Sequence, residues 1–162
     1  MNDLIKISIL TDTREQAPYL FKRWNIKTQE TGLTTGDYSL PGFEDKAAIE
    51  RKTLDDLIGC LMGKDRERFE KELSRARSFE LFAVVVEANL SDIANGQYQS
   101  NMKPTAALQT LAAFFIRYRV PFLFCSNRAG GEYQVYSLLQ KYIQEIEKRF
   151  KQSQKHNQEV ME

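Results

Sequence analysis

Hydrophobic and polar positions divide the chain into short extended runs alternating with longer helical stripes. Residues 4–10, Leu-Ile-Lys-Ile-Ser-Ile-Leu, alternate well enough to predict a strand that ends at Thr11-Asp12-Thr13. The next residues, Arg14-Glu15-Gln16, lead into a turn or short helix, for which Asp12 is a suitable N-cap. Residues 22–34 are polar and irregular and connect to a short edge strand. Two further strands follow, Asp37-Tyr38-Ser39-Leu40 and residues 47–52, separated by a turn that begins at Pro41-Gly42. Thr53 is placed to cap a helix whose Leu54, Leu57, Ile58 and Leu61 share one face. Gly63-Lys64-Asp65 reads as a break, and residues 66–78 resume the helix on a stripe of Phe69, Leu73 and Ala76.

Farther on, residues 82–87 form a continuous apolar run, the pattern of a central buried strand. Residues 95–104 are a polar surface loop in which Tyr98 packs locally or stacks on a base. Residues 105–118 read as a helix with Leu108, Leu111, Ala112, Phe115 and Tyr118 on one side. Residues 121–125 read as another buried strand. Ala129-Gly130-Gly131 reads as a turn. Residues 132–150 form a long helix with a stripe of Tyr136, Leu139, Tyr142, Ile143, Ile146 and Phe150, widened by Val135 and Leu138. A polar tail, residues 151–162, is expected to fray. This alternation predicts an α/β fold with a central mixed β-sheet flanked by helices.

Composition narrows the class. A chain of 162 residues, 42% hydrophobic and 28% charged, can bury a real core as one domain without disulfides. It has no apolar run of about 18 residues, the length a membrane helix needs, and its first residues lack the apolar region of a signal peptide. A cytoplasmic protein with no membrane association is therefore expected. Cys60 and Cys125 have no CxxC partner and read as reduced core thiols. The formal net charge is only +1, so any attraction to nucleic acid must come from local basic patches. The one histidine, His156, lies in the tail, which leaves a histidine-based mechanism without a candidate. Gly130-Gly131 lacks the spacing and the lysine of a phosphate loop.

The candidate chemistry sits on the two central strands. Alternate side chains of a strand share a face, so Glu50 and Lys52 project together with Arg51 opposite, and a hairpin brings Asp37 toward them. One or two carboxylates with a nearby ammonium are what a Mg²⁺- or Mn²⁺-dependent phosphodiesterase needs. The acids hold the ion together with waters and phosphate oxygens, and the lysine orients water or meets developing charge. Asp55 and Asp56 fall in the first helical turn, where the helix dipole alone explains an acid. Downstream, Arg66, Arg68, Lys71 and Arg75 lie along one helix. They are either a salt-bridged surface, with Glu67 four residues before Lys71, or contacts to a phosphate backbone from Arg66, Arg68 and Arg75.

Three stretches carry a family resemblance: TDTRE at 11–15, TGDYSL at 35–40 and IERKTLDDLIGCL at 49–61. Together they resemble the nuclease domain of the XPF family of structure-selective endonucleases, within the PD-(D/E)xK superfamily. The hallmark of that family is Gly-Asp followed by Glu-Arg-Lys and a later Asp. The resemblance covers roughly residues 5–145. It implies a restriction-endonuclease-like fold and an endodeoxyribonuclease that hydrolyses branched DNA (flaps, forks or junctions) in repair or recombination. It also implies metal ligation by Asp12, Asp37 and Glu50, water positioning by Lys52 and support from Asp56. For Asp12 it reverses the N-cap reading. Arg14 and Glu15 become candidates for supporting ion pairs or phosphate contact, and Arg51 for a structural ion pair or DNA contact. A homodimer through the C-terminal helices is implied as well.

The expected organisation is one nuclease domain over residues 1–150 followed by the polar tail. Neither the tandem helix-hairpin-helix module nor the helicase that relatives commonly carry is recognisable. The alternative function is a catalytically silent, dimerising DNA-binding partner of a nuclease complex. Retention of the acids and the lysine argues against it. A restriction-type or RNA-directed nuclease is a third reading, disfavoured by the Glu-Arg-Lys-x(3)-Asp text.

Overall fold

The computed structural model describes residues 5–161. In chain order the elements are β1 (Ser8–Asp12), a 3-10 turn (Lys22–Trp24), β2 (Lys27–Thr31), β3 (Tyr38–Ser39), β4 (Ala47–Lys52), α1 (Leu54–Gly59), α2 (Gly63–Ala76), β5 (Leu81–Val86), α3 (Leu90–Ala94), α4 (Pro104–Tyr118), β6 (Phe122–Phe124) and α5 (Arg128–Met161). The strands form one six-stranded sheet of order β2-β1-β3-β4-β5-β6. β1–β2, β4–β5 and β5–β6 are parallel pairs, whereas β3 runs antiparallel to both β1 and β4. The sheet is therefore mixed, and helices cover both faces, as the sequence predicts.

Alternation along the strands divides the core in two. Ala48, Phe82, Val84 and Val86 face α1, α2, α3 and α4, packing with Leu57, Leu73, Ile93 and Phe114. Ile49, Ala83 and Val85 face α5, packing with Val135, Leu139 and the aromatic group Tyr19, Phe21 and Tyr38. Tyr19 and Tyr38 stack at 5.3 Å, and the Tyr38 hydroxyl accepts the Tyr19 N–H at 2.8 Å. This packing fixes the register of β4, and with it the face to which Glu50, Arg51 and Lys52 each point.

Several elements differ from expectation. β1 is shifted toward its C-terminal end and includes Asp12, while Leu4 lies outside the described residues. The irregular segment 22–34 itself contains the edge strand β2, whose KTQET side chains are mostly exposed and carry no apolar alternation. α2 begins at Gly63 rather than after a break. β6 closes the sheet edge and is only half-buried. On α4 the buried stripe is Ala107, Leu111 and Phe114, which leaves Phe115 exposed. The tail is helical through Met161, with exposed side chains and an i,i+4 pair of Lys151 with Glu147 at 2.8 Å. Among the described residues no helix is long and apolar enough to cross a membrane.

Ala129-Gly130-Gly131 is not a turn but the start of α5. Asn127 opens the helix, its Oδ1 accepting the Gly130 N–H at 2.9 Å. The glycines are required by close approach. A Cβ at 130 would collide with the Cys125 carbonyl, and one at 131 with the Tyr19 hydroxyl. Gly130→Ala is expected to cost about 1–3 kcal/mol, the usual range for overpacking. Gly32→Ala, where a Cβ meets nothing within 4 Å, should cost little. Urea unfolding midpoints of the two variants check this directly.

Candidate active site

The site is built at the ends of β1, β3 and β4. Asp37 bridges all three strands. Its N–H donates to the Ile49 carbonyl, its own carbonyl accepts the Asp12 N–H, and its Oδ2 accepts the Arg51 N–H, each at 2.8 Å. Glu50 and Lys52 project to the α2 side of the sheet, with the Lys52 Nζ 2.8 Å from the Glu50 Oε1 and 5.5 Å from the Phe69 ring centre. Glu50 is 6% exposed.

Burial dominates the electrostatics. It pushes the Asp37 carboxyl up to about 6 against the opposing pull of the Arg51 N–H bond, with the nearby Glu15 charge adding to the rise. Glu50 is driven well above the ordinary glutamate value, first by burial and then by the Asp37 charge. Burial works against the Lys52 charge, but the Glu50 charge and hydrogen bond, with the surrounding Cys60 and Glu72, together outweigh it, so the ammonium is held more firmly than in water.

Two buried carboxylates that resist ionising together suit a hard divalent cation, which would relieve their repulsion and accept their oxygens. Among the described residues no three His, Cys, Asp or Glu side chains form a complete cage. Mg²⁺ does not require one, because it keeps several waters and is held by one or two carboxylates. Asp37 and Glu50 fit that donor set.

The structure places the other candidates around this pair. Asp12 is 3% exposed and both its oxygens are engaged: Oδ2 accepts from the Arg14 Nε at 2.8 Å and Oδ1 from the Leu33 N–H at 3.0 Å. It clasps the turn after β1 to the loop after β2. Arg14 also donates to the Leu33 carbonyl at 2.6 Å, yet most of its side chain is exposed.

Arg51, on the α5 side, forks onto Glu15, Nε to Oε2 and Nη2 to Oε1, both at 3.0 Å, and its Nη1 meets the Glu87 carboxylate. Its guanidinium is held strongly protonated, first by the Glu15 hydrogen bond. Arg51 is therefore a structural ion-pair centre, and Glu15 and Glu87 are its partners.

Asp56 stands exposed in the first turn of α1, its backbone N–H donating to the Thr53 Oγ1 at 3.2 Å. Among the described residues no side-chain hydrogen bond joins it to Lys52 or to the carboxylate pair. Asp55, its neighbour in that turn, accepts the Gln99 N–H at 2.9 Å and pins the 95–104 loop. Tyr98 packs locally, donating to the Met102 carbonyl at 2.7 Å. On α2, Arg66 pairs with Glu70 at 3.2 Å, Lys71 with Glu67 at 3.1 Å, and the exposed Arg68 with Asp65 at 2.5 Å. Arg75 turns inward to Thr35.

One residue near the site had no place in the sequence reading. Glu72, on α2, reaches the Gly36 N–H at 3.1 Å, and its charge acts on Arg14, Asp37, Glu50 and Lys52. The only sequence signal is its position between the buried Phe69 and Leu73 and the inner edge of the stripe.

Comparison with known proteins agrees with this fold. A family model described as the ERCC4 domain matches residues 11–136, a span that runs from the end of β1 to the first turns of α5. Among solved structures, the chain is similar to XPF from Aeropyrum pernix, with a TM-score of 0.67 and 19% identity over 83% of this chain and 61% of that one. It is similar also to the same organism's XPF in complex with DNA, with a TM-score of 0.62 and 19% identity over 85% and 66% of the respective chains. The chain thus spans less than two thirds of either structure, and at this identity the likeness speaks to the fold alone. No curated protein matches it. With most of its length matched by one family model, and with the XPF nuclease fold around a carboxylate pair and a lysine, the chain belongs to the ERCC4 domain family.

Proposed function

We propose that this chain is a Mg²⁺- or Mn²⁺-dependent endodeoxyribonuclease acting on branched DNA in repair or recombination. The observation that carries the reading is the buried Asp37–Glu50 pair with the Lys52 ammonium 2.8 Å from Glu50. A divalent cation bound by Asp37 and Glu50 would supply Lewis acidity toward a phosphate and a water of lowered pKa.

The chain's own groups do the rest. Lys52 stays protonated, so it has no lone pair with which to take a proton. It acts as a fixed cation that donates hydrogen bonds to a phosphate oxygen or to the attacking water and steadies the charge that develops there. Asp12 holds the loops on which the site rests, and Asp56, exposed in the first turn of α1, supports it at longer range. Arg14 and Arg68, the most exposed of the nearby arginines, are placed to meet the DNA backbone, and Arg66 and Arg75 contribute less directly.

DNA as the substrate is supported by family membership and by the XPF complex with DNA, and the preference for branched DNA by the family resemblance alone. Phe115 and Ile116 on α4 and Phe150 on α5 are exposed and apolar, which supports a homodimer through the C-terminal helices. The nuclease unit occupies residues 1–150 of a cytoplasmic protein.

A labelled panel of single strands, duplex, flap, fork and four-way junction, incubated with Mg²⁺, Mn²⁺ or EDTA, tests the function. Metal-dependent cutting near branch points is the expected result. Binding without cutting in either metal would favour a silent partner module instead.

The carboxylate pair also predicts a pH dependence. Without metal, Asp37 binds its proton more tightly folded than unfolded, so its contribution to stability is present at low pH and is lost as pH rises through about 6. A bound cation removes that loss. Millimolar Mg²⁺ should therefore raise the melting temperature more at about pH 7.5 than at about pH 5, where protons compete for the ligands. Equal shifts at the two pH values would contradict the placement of the ion at this pair.

A further inference from the structure

The loop that delivers Asp37 is held from both sides. On one side stands β4. Gly36 has φ +82°, and a Cβ there would lie 2.9 Å from the Ala48 Cβ, so the loop cannot move closer to the strand. On the other side stand two residues of α2, one helical turn apart on its inner edge. Glu72 Oε1 accepts the Gly36 N–H at 3.1 Å, and Arg75 Nε donates to the Thr35 Oγ1 at 3.3 Å. Thr35 is 2% exposed, and the Asp37 backbone is already fixed to Ile49 and Asp12. Positions 35 and 36 are thus tied to α2 by bonds reaching across 40 and 36 residues of sequence, and position 37 is tied to β4 and β1.

We propose that Glu72 and Arg75 form a clasp that sets the position of the Asp37 carboxylate, with Glu72 the main positioning residue of the cutting site. This inference rests on the nuclease reading above and adds residues to it. Glu72 acts here through the Gly36 N–H, which its Oε1 accepts. Arg75, a candidate for phosphate contact in the sequence, also serves the loop. Supporting groups of this kind matter because a carboxylate that ligates a metal must be oriented, and loss of its outer partners commonly lowers affinity or activity about 10–100-fold. The Glu72 charge also faces Asp37, Glu50 and Lys52, which places it close to the reacting region without contact.

Glu72→Ala and Glu72→Gln, with Ser74→Ala on the exposed side of α2 as control, test the clasp. Three quantities are read: amide hydrogen exchange at Gly36, the Mg²⁺ concentration giving half-maximal cleavage, and kcat against KM for a flap substrate. Glu72→Ala should speed Gly36 exchange, raise the metal requirement and lower kcat about 10–100-fold, with KM for DNA unchanged. Glu72→Gln should recover most of all three, because its amide oxygen can accept the same N–H. Unchanged Gly36 exchange in Glu72→Ala would overturn the clasp. So would a wild-type metal requirement accompanied only by a lower melting temperature, or a Gln variant as impaired as the Ala variant. If the wild type cuts nothing, the nuclease reading fails by itself. Gly36 exchange and calorimetric Mg²⁺ binding by the same variants then decide the clasp independently.

Discussion

Lys52→Ala is expected to lower the single-turnover cleavage rate at saturating metal by about 10²–10³-fold, the usual cost of removing one preorganised charge-stabilising donor. The reason lies in the placement of the ammonium. It is mostly buried, 2.8 Å from Glu50, on the face of β4 that also bears that carboxylate. Charge developing on a phosphate there meets a cation that needs no reorganisation. DNA affinity should change little, because one partly buried lysine adds little to a binding energy set by exposed phosphate contacts. Lys52→Arg would keep the charge but replace a compact ammonium with a planar fork, so it should rescue only in part. A Lys52→Ala enzyme that cuts at the wild-type rate would remove the lysine from the mechanism.

Arg51→Ala should act on the fold rather than on the chemistry. The Arg51, Glu15 and Glu87 side chains are only 11%, 6% and 9% exposed, so removing the arginine strands two carboxylates in a low-dielectric pocket. Breaking a buried pair in this way typically costs about 3–5 kcal/mol. In the wild type, burial alone would raise the Glu15 carboxyl, but the Arg51 hydrogen bond, the Ala17 N–H and the charges of Arg51 and Arg128 together reverse this and hold it below its ordinary value. That contribution is present at neutral pH and is lost as pH falls through the lowered value. In the variant the stranded acids take up protons more readily, so the deficit should shrink as pH falls from about 7.5 to about 5. Urea unfolding at the two pH values measures it. Arg51→Met, which keeps much of the side-chain volume, should be nearly as unstable, which separates charge from packing.

The hairpin and the placement of its charged side chains were legible because strand alternation alone puts Glu50 and Lys52 on one face, with Arg51 opposite. The TGDYSL and IERK stretches then tied that local pattern to a known nuclease text. The buried central strand followed from the continuous apolar run at 82–87, and the long helix from the stripe in 132–150. β2 was obscured because an exposed edge strand needs no apolar side chains, and KTQET supplies none. The α4 stripe was rotated by one position, since Phe115 satisfies helical spacing as well as Phe114 does, and only packing against Phe69 and Tyr118 selects between them. Gly130 and Gly131 looked like a turn because glycine favours turns. Here it is needed instead for close approach to Cys125 and Tyr19. Glu72 was invisible for a related reason: its role depends on a hydrogen bond to a loop 36 residues earlier in the chain. Periodicity reports which face of a helix is buried, but not what the edge of that face touches.

The most direct test of the central claim compares wild type and Asp37→Asn on one labelled flap substrate, in Mg²⁺, Mn²⁺ and EDTA, with DNA binding measured in parallel. The substitution keeps shape and removes one anionic donor from the buried pair. The account predicts that the wild type cuts in metal and not in EDTA, and that Asp37→Asn binds the DNA equally well but does not cut. Equal cutting by both proteins would contradict the assignment of the Asp37–Glu50 pair as the catalytic centre.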